Sequence, residues 1–366
     1  MSEGWIDKTA PVREGEELDL GALSAWLQDH VEGLEGELEV EQFPGGHSNL
    51  TYMLRMGSRE LVLRRPPFGG TAIKTAHDMG REFRILSALH HVYDKAPTPF
   101  AHCEDDAVIG APFYVMERVR GVILRQRPPK GLELTPERMG VLSRTLVDNL
   151  VAIHNVDLEA AGLDDFGKPA GYVKRQVEGW TRRYGKAKTD ELEAVEQIAV
   201  WLADHMPPDH PERAALIHND YKYDNLVFAP EALDQGKLLA VLDWEMATIG
   251  DPLMDLGTTL GYWVDPDDPP ELRLLPFGPT SLEGNLRRLE VAERYAEQSG
   301  RDLKHILFYY VYALFKVAVI LQQIYARYKR GLTQDARFAI MIEGVKLLAL
   351  QATRALDNDR IDRLGR

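Results

Sequence analysis

The segment His218-Asn219-Asp220-Tyr221-Lys222-Tyr223-Asp224-Asn225 places a histidine two residues before an aspartate and an asparagine five after it. Apolar runs at 214–217 and 226–228 flank it. A second carboxylate, Asp243, closes the apolar run Val241-Leu242. These side chains suit phosphoryl transfer from a nucleoside triphosphate. Asp220 can accept the proton of an attacking hydroxyl. Asn225 offers Mg²⁺ a neutral oxygen and Asp243 an anionic one. His218 can orient the loop through its ring nitrogens. The plain alternative is a polar loop whose Asp and Asn only make turns. Apolar flanks and a downstream strand-end aspartate argue against it.

Other segments would have to serve that chemistry. Gly45-Gly46-His47-Ser48-Asn49 lies between two predicted strands. Its glycines let backbone approach a phosphate, and Ser48 and Asn49 can donate to phosphate oxygens. In Leu61-Val62-Leu63-Arg64-Arg65, Val62 and Arg64 share one strand face. Glu82 sits at helical spacing from Ile85, Leu86 and Leu89. A carboxylate on an apolar face needs a partner, and Arg64 is the predicted one. The pair would hold a cation over the phosphates. The strand Phe113-Tyr114-Val115-Met116-Glu117 leads into a linker, where Met116 and Glu117 could offer backbone groups to adenine. Asp251-Pro252 reads as a helix start. Asp255 is expected to fix backbone, and Trp180 and Tyr184, four apart, read either as packing residues or as walls of a substrate pocket. There is no zinc-type Cys/His spacing and no Gly-x-Ser-x-Gly.

The elements that must position these residues change character along the chain. Residues 19–31 read as a short helix, and 38–43, 50–56 and 60–65 as strands. A helix over 76–90 and strands over 107–109 and 112–119 complete a first, sheet-rich third. From Gly121 the pattern is helical. Thr135-Pro136-Glu137 is a strong start signal for a helix to about His154. Helices follow over 171–186, 190–205, 282–298, 303–328 and 334–356. The apolar stretch 306–325 has the length of a membrane span, but Lys316 in its middle predicts a core helix instead.

The chain has 366 residues, room for two packed lobes. Its formal charge of −14 repels nucleic acid and anionic membrane, so neither is an expected partner. One cysteine, Cys103, precludes an internal disulfide and fits a reducing compartment. Residues 1–8 carry no secretory pattern, and a cytoplasmic location is expected.

These residues together resemble the aminoglycoside phosphotransferase family, similar in fold to protein kinases. Within it they resemble the branch related to the kinase-like domains of certain acyl-CoA dehydrogenases. The resemblance runs over roughly residues 20 to 355. It is carried by Gly45 to Tyr52, Leu63-Arg64-Arg65-Pro66-Pro67, Arg81-Glu82-Phe83, Tyr114-Val115-Met116-Glu117, Gln176 to Trp180, His218 to Asn225, and Val241 to Asp255. It implies an α+β, two-lobed, protein kinase-like fold: a small antiparallel sheet lobe, 1–118, and a larger helical lobe, 119–366. It implies Asp220 as catalytic base, Asn225 and Asp243 as Mg²⁺ ligands, Gly46, Ser48 and Asn49 in a phosphate loop, and Glu82 as the helix glutamate. ATP is the expected donor, with GTP as the alternative, and a small-molecule hydroxyl the acceptor. Some members of the branch phosphorylate hydroxyacyl-CoA thioesters; others in the superfamily take aminoglycosides, choline-like alcohols or sugars. Two departures stand out. Arg64 falls where a lysine is usual, which favours a catalytically weak nucleotide-binding regulator as the alternative. Asn219 replaces the common glycine, a change asparagine's tolerance of left-handed backbone allows. A protein kinase is disfavoured, because no Ala-Pro-Glu follows Asp243.

Overall fold

The structure is a computed structural model and describes residues 2–44, 49–68, 78–333 and 335–365. Asp19 caps α1 (Leu20–His30) by accepting the Ala22 N–H. Alternating apolar residues then form β1 (Leu38–Gln42), β2 (Leu50–Met56) and β3 (Arg59–Arg65). Gly57 turns β2 into β3 with φ +59°, where a Cβ would lie 2.8 Å from the Glu35 carbonyl oxygen. After α2 (Met79–Leu89) come β4 (Pro99–Cys103), α3 (Asp106–Ile109) and β5 (Phe113–Glu117). Among the described residues these strands form a five-stranded antiparallel sheet in the order β1-β2-β3-β5-β4. Alternation decides its two faces. Leu61, Leu63, Phe113 and Val115 pack with Leu23 and Leu27 of α1. Val62, Tyr114 and Met116 face Ile85, Leu86 and Leu89 of α2, and that face is continuous with the helical core.

Two expectations fail locally. Residues 107–109 are helix, not strand: Asp105 accepts the Ala107 N–H and Gly110 ends the turn at φ +80°. The strand lies instead at Pro99–Cys103. The predicted helix over 282–298 begins only at Arg288.

Beyond β5 the chain makes β6 (Val122–Ile123), α4 (Pro136–His154), α5 (Tyr172–Ala187) and α6 (Glu193–Asp204). Thr135 caps α4 as expected, with Pro136 at the first helical position. Then β7 (Ala215–Ile217), β8 (Leu226–Phe228), β9 (Leu238–Val241) and β10 (Thr248–Gly250) form two small antiparallel sheets, β6-β8-β9 and β10-β7. Strand β7 delivers His218 and β8 receives Asn225, so the polar segment is a loop fixed at both ends. Strand β9 delivers Asp243. Helices α7 (Pro252–Gly261), α8 (Arg288–Ser299), α9 (Ile306–Lys329) and α10 (Met341–Asn358) complete the helical part. Helix α9 is long and apolar enough to span a membrane, yet 72% of its most apolar window is buried inside the protein. It is a core helix, as Lys316 predicted.

Candidate active site

The loop after β7 is held by its neighbours at almost every polar group. Asp255, on α7, is fully buried and accepts the backbone N–H groups of His218 (2.6 Å) and Asn219 (2.7 Å). His154 of α4 bonds the same carboxylate at 3.1 Å, and Tyr295 closes the chain at 2.7 Å from the other ring nitrogen. Burial alone would raise the Asp255 pKa, but its bonds to His154 and the His218 backbone hold it below the usual carboxylate range. The backbone-fixing role expected of Asp255 is what the geometry shows.

Asn219 adopts φ +66°. Its N–H goes to Asp255. Its carbonyl accepts from Lys316 of α9 at 2.8 Å. Its side chain accepts from Tyr172 (3.2 Å) and donates to the Met246 carbonyl (3.0 Å). A glycine could take the same backbone angle but would lose both side-chain ties. His218 sits inside: Nε2 donates to the Leu242 carbonyl (2.9 Å) and Nδ1 accepts the Asp220 N–H (3.3 Å). The ring thus links the loop to the segment carrying Asp243, the orienting role read from the sequence.

Asp220 turns outward. Lys222 donates to both its oxygens (3.0 and 2.8 Å), and Asn225 Nδ2 donates to its carbonyl (2.8 Å) and to Oδ2 (3.1 Å). That contact commits the asparagine nitrogen and leaves Oδ1 for another partner. Lys222 also lies 4.6 Å from the Tyr262 ring centroid. Sequence reasoning gave Lys222 no role, although it stands two residues from Asp220, within reach of that carboxylate.

Across from the loop, Arg64 pairs with Glu82 of α2, as predicted, and both are buried. The same guanidinium reaches Asp243 Oδ1 (2.8 Å) and Glu245 Oε2 (3.4 Å). Asn49 Nδ2 donates to Glu245 Oε2 at 2.5 Å. Three carboxylates therefore crowd one cation. Burial and the Asp243 charge push the Glu245 carboxyl up to about 8. Burial would raise Asp243 too, but Arg64 holds it below the usual carboxylate range. Asp243 itself sits at φ +68°, a backbone angle few side chains adopt.

A cavity of about 440 Å³ joins the two halves of this site. Asn49, Arg64, Asp220, Asn225 and Asp243 all line it, with Met116 and Glu117 at the connector. Glu82 stands behind Arg64, and His218 is wholly buried behind the loop. Gly46 and Ser48 lie outside the described residues. The Glu117 N–H donates to the Thr98 carbonyl (2.8 Å) and is spent within the sheet region.

Among the described residues no cluster of three or more His, Cys, Asp or Glu is arranged to hold a metal by itself. The donors Asn225 Oδ1 and the Asp243 carboxylate do fit Mg²⁺, a hard cation usually held by one or two protein oxygens plus phosphate and water. The cavity's size suits a nucleotide, and at its wall Arg64 Nε is buried without an acceptor.

Fold and geometry accord with the relatives of the chain. A phosphotransferase enzyme family profile matches residues 39–291. The chain therefore belongs to that family. A Ralstonia eutropha protein assigned to the aminoglycoside phosphotransferases is 33% identical, with a TM-score of 0.76 over 91% of this chain and 96% of that one. Mouse acyl-CoA dehydrogenase family member 10 is 37% identical over 96% of this chain; the match spans 32% of the mouse protein. A spectinomycin phosphotransferase solved with ADP and spectinomycin shares the fold at 12% identity, with a TM-score of 0.54 over 94% and 97% of the two chains.

Proposed function

We propose that the chain transfers the γ-phosphoryl group of ATP, bound with Mg²⁺, to a hydroxyl of a small molecule. The observation that carries this reading is the convergence of Asp220, Asn225 and Asp243 on one cavity, with the Arg64–Glu82 pair on its opposite wall. In the reading the two lobes, 1–118 and 119–366, meet at the connector, and the nucleotide lies between them. Mg²⁺ would be held by Asn225 and Asp243 and would neutralise charge on the phosphates. Asp220 accepts the proton of the acceptor hydroxyl, and Lys222, bonded to both its oxygens, holds that carboxylate in place. Arg64 holds a fixed positive charge where phosphate oxygens need one, while Glu82 prevents it from swinging away. Asp255, His154 and Lys316 touch no substrate; they keep the loop in the strained shape that presents Asp220. The ADP-bound spectinomycin phosphotransferase of like fold supports a nucleotide donor.

A hydroxyacyl-CoA is the first acceptor to try, on the likeness to an acyl-CoA dehydrogenase family member. A reducing, cytoplasmic setting fits the lone, buried thiol of Cys103. The test is ADP formation with Mg·ATP across a panel of hydroxy compounds. Asp220→Asn should lower turnover by about 10³-fold with nucleotide affinity kept. Full activity in that variant would remove Asp220 as the base. Tight nucleotide binding with no ADP from any acceptor would favour the regulatory alternative.

A further inference from the structure

One end of the cavity is walled by residues far from the loop in sequence: Ile6 and Asp7. They belong to a segment that spans both halves of the molecule. Trp5 packs on the helical core. The Asp7 N–H donates to the Gly121 carbonyl (3.3 Å), and Arg118 Nη2 donates to the Asp7 carbonyl (3.4 Å). Arg125 then donates to both Asp7 carboxylate oxygens, at 2.6 and 3.1 Å. Further on, Thr9 donates to Glu41, and Ala10 and Gln42 exchange two backbone hydrogen bonds of 2.8 Å, joining the segment to the edge of β1. The arm is thus pinned on the helical side, at the connector and on the sheet. Asp7 falls at the pinned point that borders the cavity.

The chemistry at that point is unbalanced toward acceptors. Arg125 is paired with Asp7, and the charges of Asp7 and Asp224 raise its pKa against burial. Asp224 lines the same cavity, and its Oδ1 is buried with no hydrogen-bond partner. Each Asp7 oxygen accepts one bond from Arg125 and keeps a further lone pair. Arg125 donates along the two carboxylate oxygens and so fixes the plane of the group. Arg118 and Arg120 also line the cavity, but Glu60 engages both; the acceptors left over at Asp7 and Asp224 suit neutral hydroxyl donors. The cavity supplies the rest of the order. Val62, Met116, Ile123 and Leu242 give it apolar walls from both sheets, suited to a base. Arg64, Asn225 and Asp243 give it a phosphate end. The sugar between them faces the remaining polar wall.

We infer that the N-terminal arm is a working part of the nucleotide site: Asp7, oriented by Arg125, accepts a hydrogen bond from the ribose hydroxyls of the bound nucleotide. The inference rests on the nucleotide reading of the cleft. It makes Asp7 a specificity residue for ribonucleotides, supplied by a segment outside the strands and loops that hold the phosphates.

Calorimetric titration of Mg·ADP and Mg·2′,3′-dideoxy-ADP tests it without turnover. The unaltered chain should bind ADP about tenfold tighter, the worth of a hydrogen bond to a charged acceptor. Asp7→Ala should reduce that ratio below about threefold while leaving the dideoxy-ADP affinity unchanged. Should Asp7→Ala fail to fold, Asp7→Asn, which keeps the size and one acceptor, should show an intermediate ratio. An equal ratio in the unaltered chain and the variant, or no ratio in the unaltered chain, overturns the role of Asp7 while nucleotide binding itself stands. Failure of either nucleotide to bind overturns the cleft reading along with it.

Discussion

The two walls of the cavity solve opposite electrostatic problems. On the loop side the two carboxylates that carry the loop have matched partners: Asp220 has Lys222, and Asp255 has His154 and two backbone N–H groups. On the opposite wall three carboxylates, Glu82, Asp243 and Glu245, share the single guanidinium of Arg64. The loop is tied to its neighbours through the Asp255 carboxylate, the His218 ring and Lys316. The Arg64 wall sets three acids against one guanidinium; burial and this crowding raise Glu82 to about 7 and Glu245 to about 8, a strain that a divalent cation would relieve. In the proposed reaction the geometry for proton transfer would be built in advance, and charge balance at the phosphates would be completed by the ligand.

That contrast can be broken at its strongest point. Arg64→Ala leaves Glu82 buried without a cation and three acids facing one another. It should cost about 3–5 kcal/mol of stability in urea unfolding. An Arg64→Ala protein as stable as the parent would mean the three acids already share protons and need no guanidinium.

Lys316 sharpens the loop side. Burial pulls its pKa down to about 8, against the attraction of Asp220 and Asp255. The ordinary lysine value is near 10.5, so between about pH 8 and 10.5 the unfolded chain binds more protons than the folded one. The folded state therefore carries a penalty that is full below about pH 8 and fades as pH rises. Lys316→Met has no such penalty. Its stability relative to the parent should fall by roughly 3 kcal/mol between pH 7 and pH 10.5. A difference that does not change with pH would show that the ammonium is solvated, not buried against the Asn219 carbonyl.

The smallest expected effect is at Asp255. Asp255→Asn keeps the shape but offers one acceptor oxygen to two backbone N–H groups. It should cost about 1–3 kcal/mol, with ADP formation falling further than stability explains, because the loop loses its left-handed turn at Asn219. Loss of stability alone, with turnover per folded molecule unchanged, would make Asp255 a packing residue only.

Much of this site was legible because its signals are local. The spacing of His218, Asp220 and Asn225 needs only one loop, and Asp243 only the end of one strand. Thr135 and Asp251 announced their helices through capping, a matter of three residues. Even the Arg64–Glu82 pair could be read, since a carboxylate on an apolar helix face demands a cation. Where local signals competed, reading failed. Residues 107–109 carry apolar side chains at strand-like density, yet the Asp105 cap and Gly110 close one helical turn there. Strand β4 was missed because it opens on Pro99 and lies at the sheet edge, where pairing with β5 sustains it and composition does not.

The sequence by itself determined which residues could do chemistry, which face of the strand carrying Arg64 and of the helix carrying Glu82 is buried, and that the apolar stretch around Lys316 is a core helix. Only the tertiary structure decided that Lys316 holds the Asn219 carbonyl, that Glu245 joins Arg64, and that Asp7 meets Arg125 at the cavity wall. Those contacts join positions roughly a hundred or more residues apart. Periodicity and capping report the neighbourhood within a helix turn or a strand pair, whereas such contacts exist only once separate elements have packed and the charges each carries have been forced to find partners.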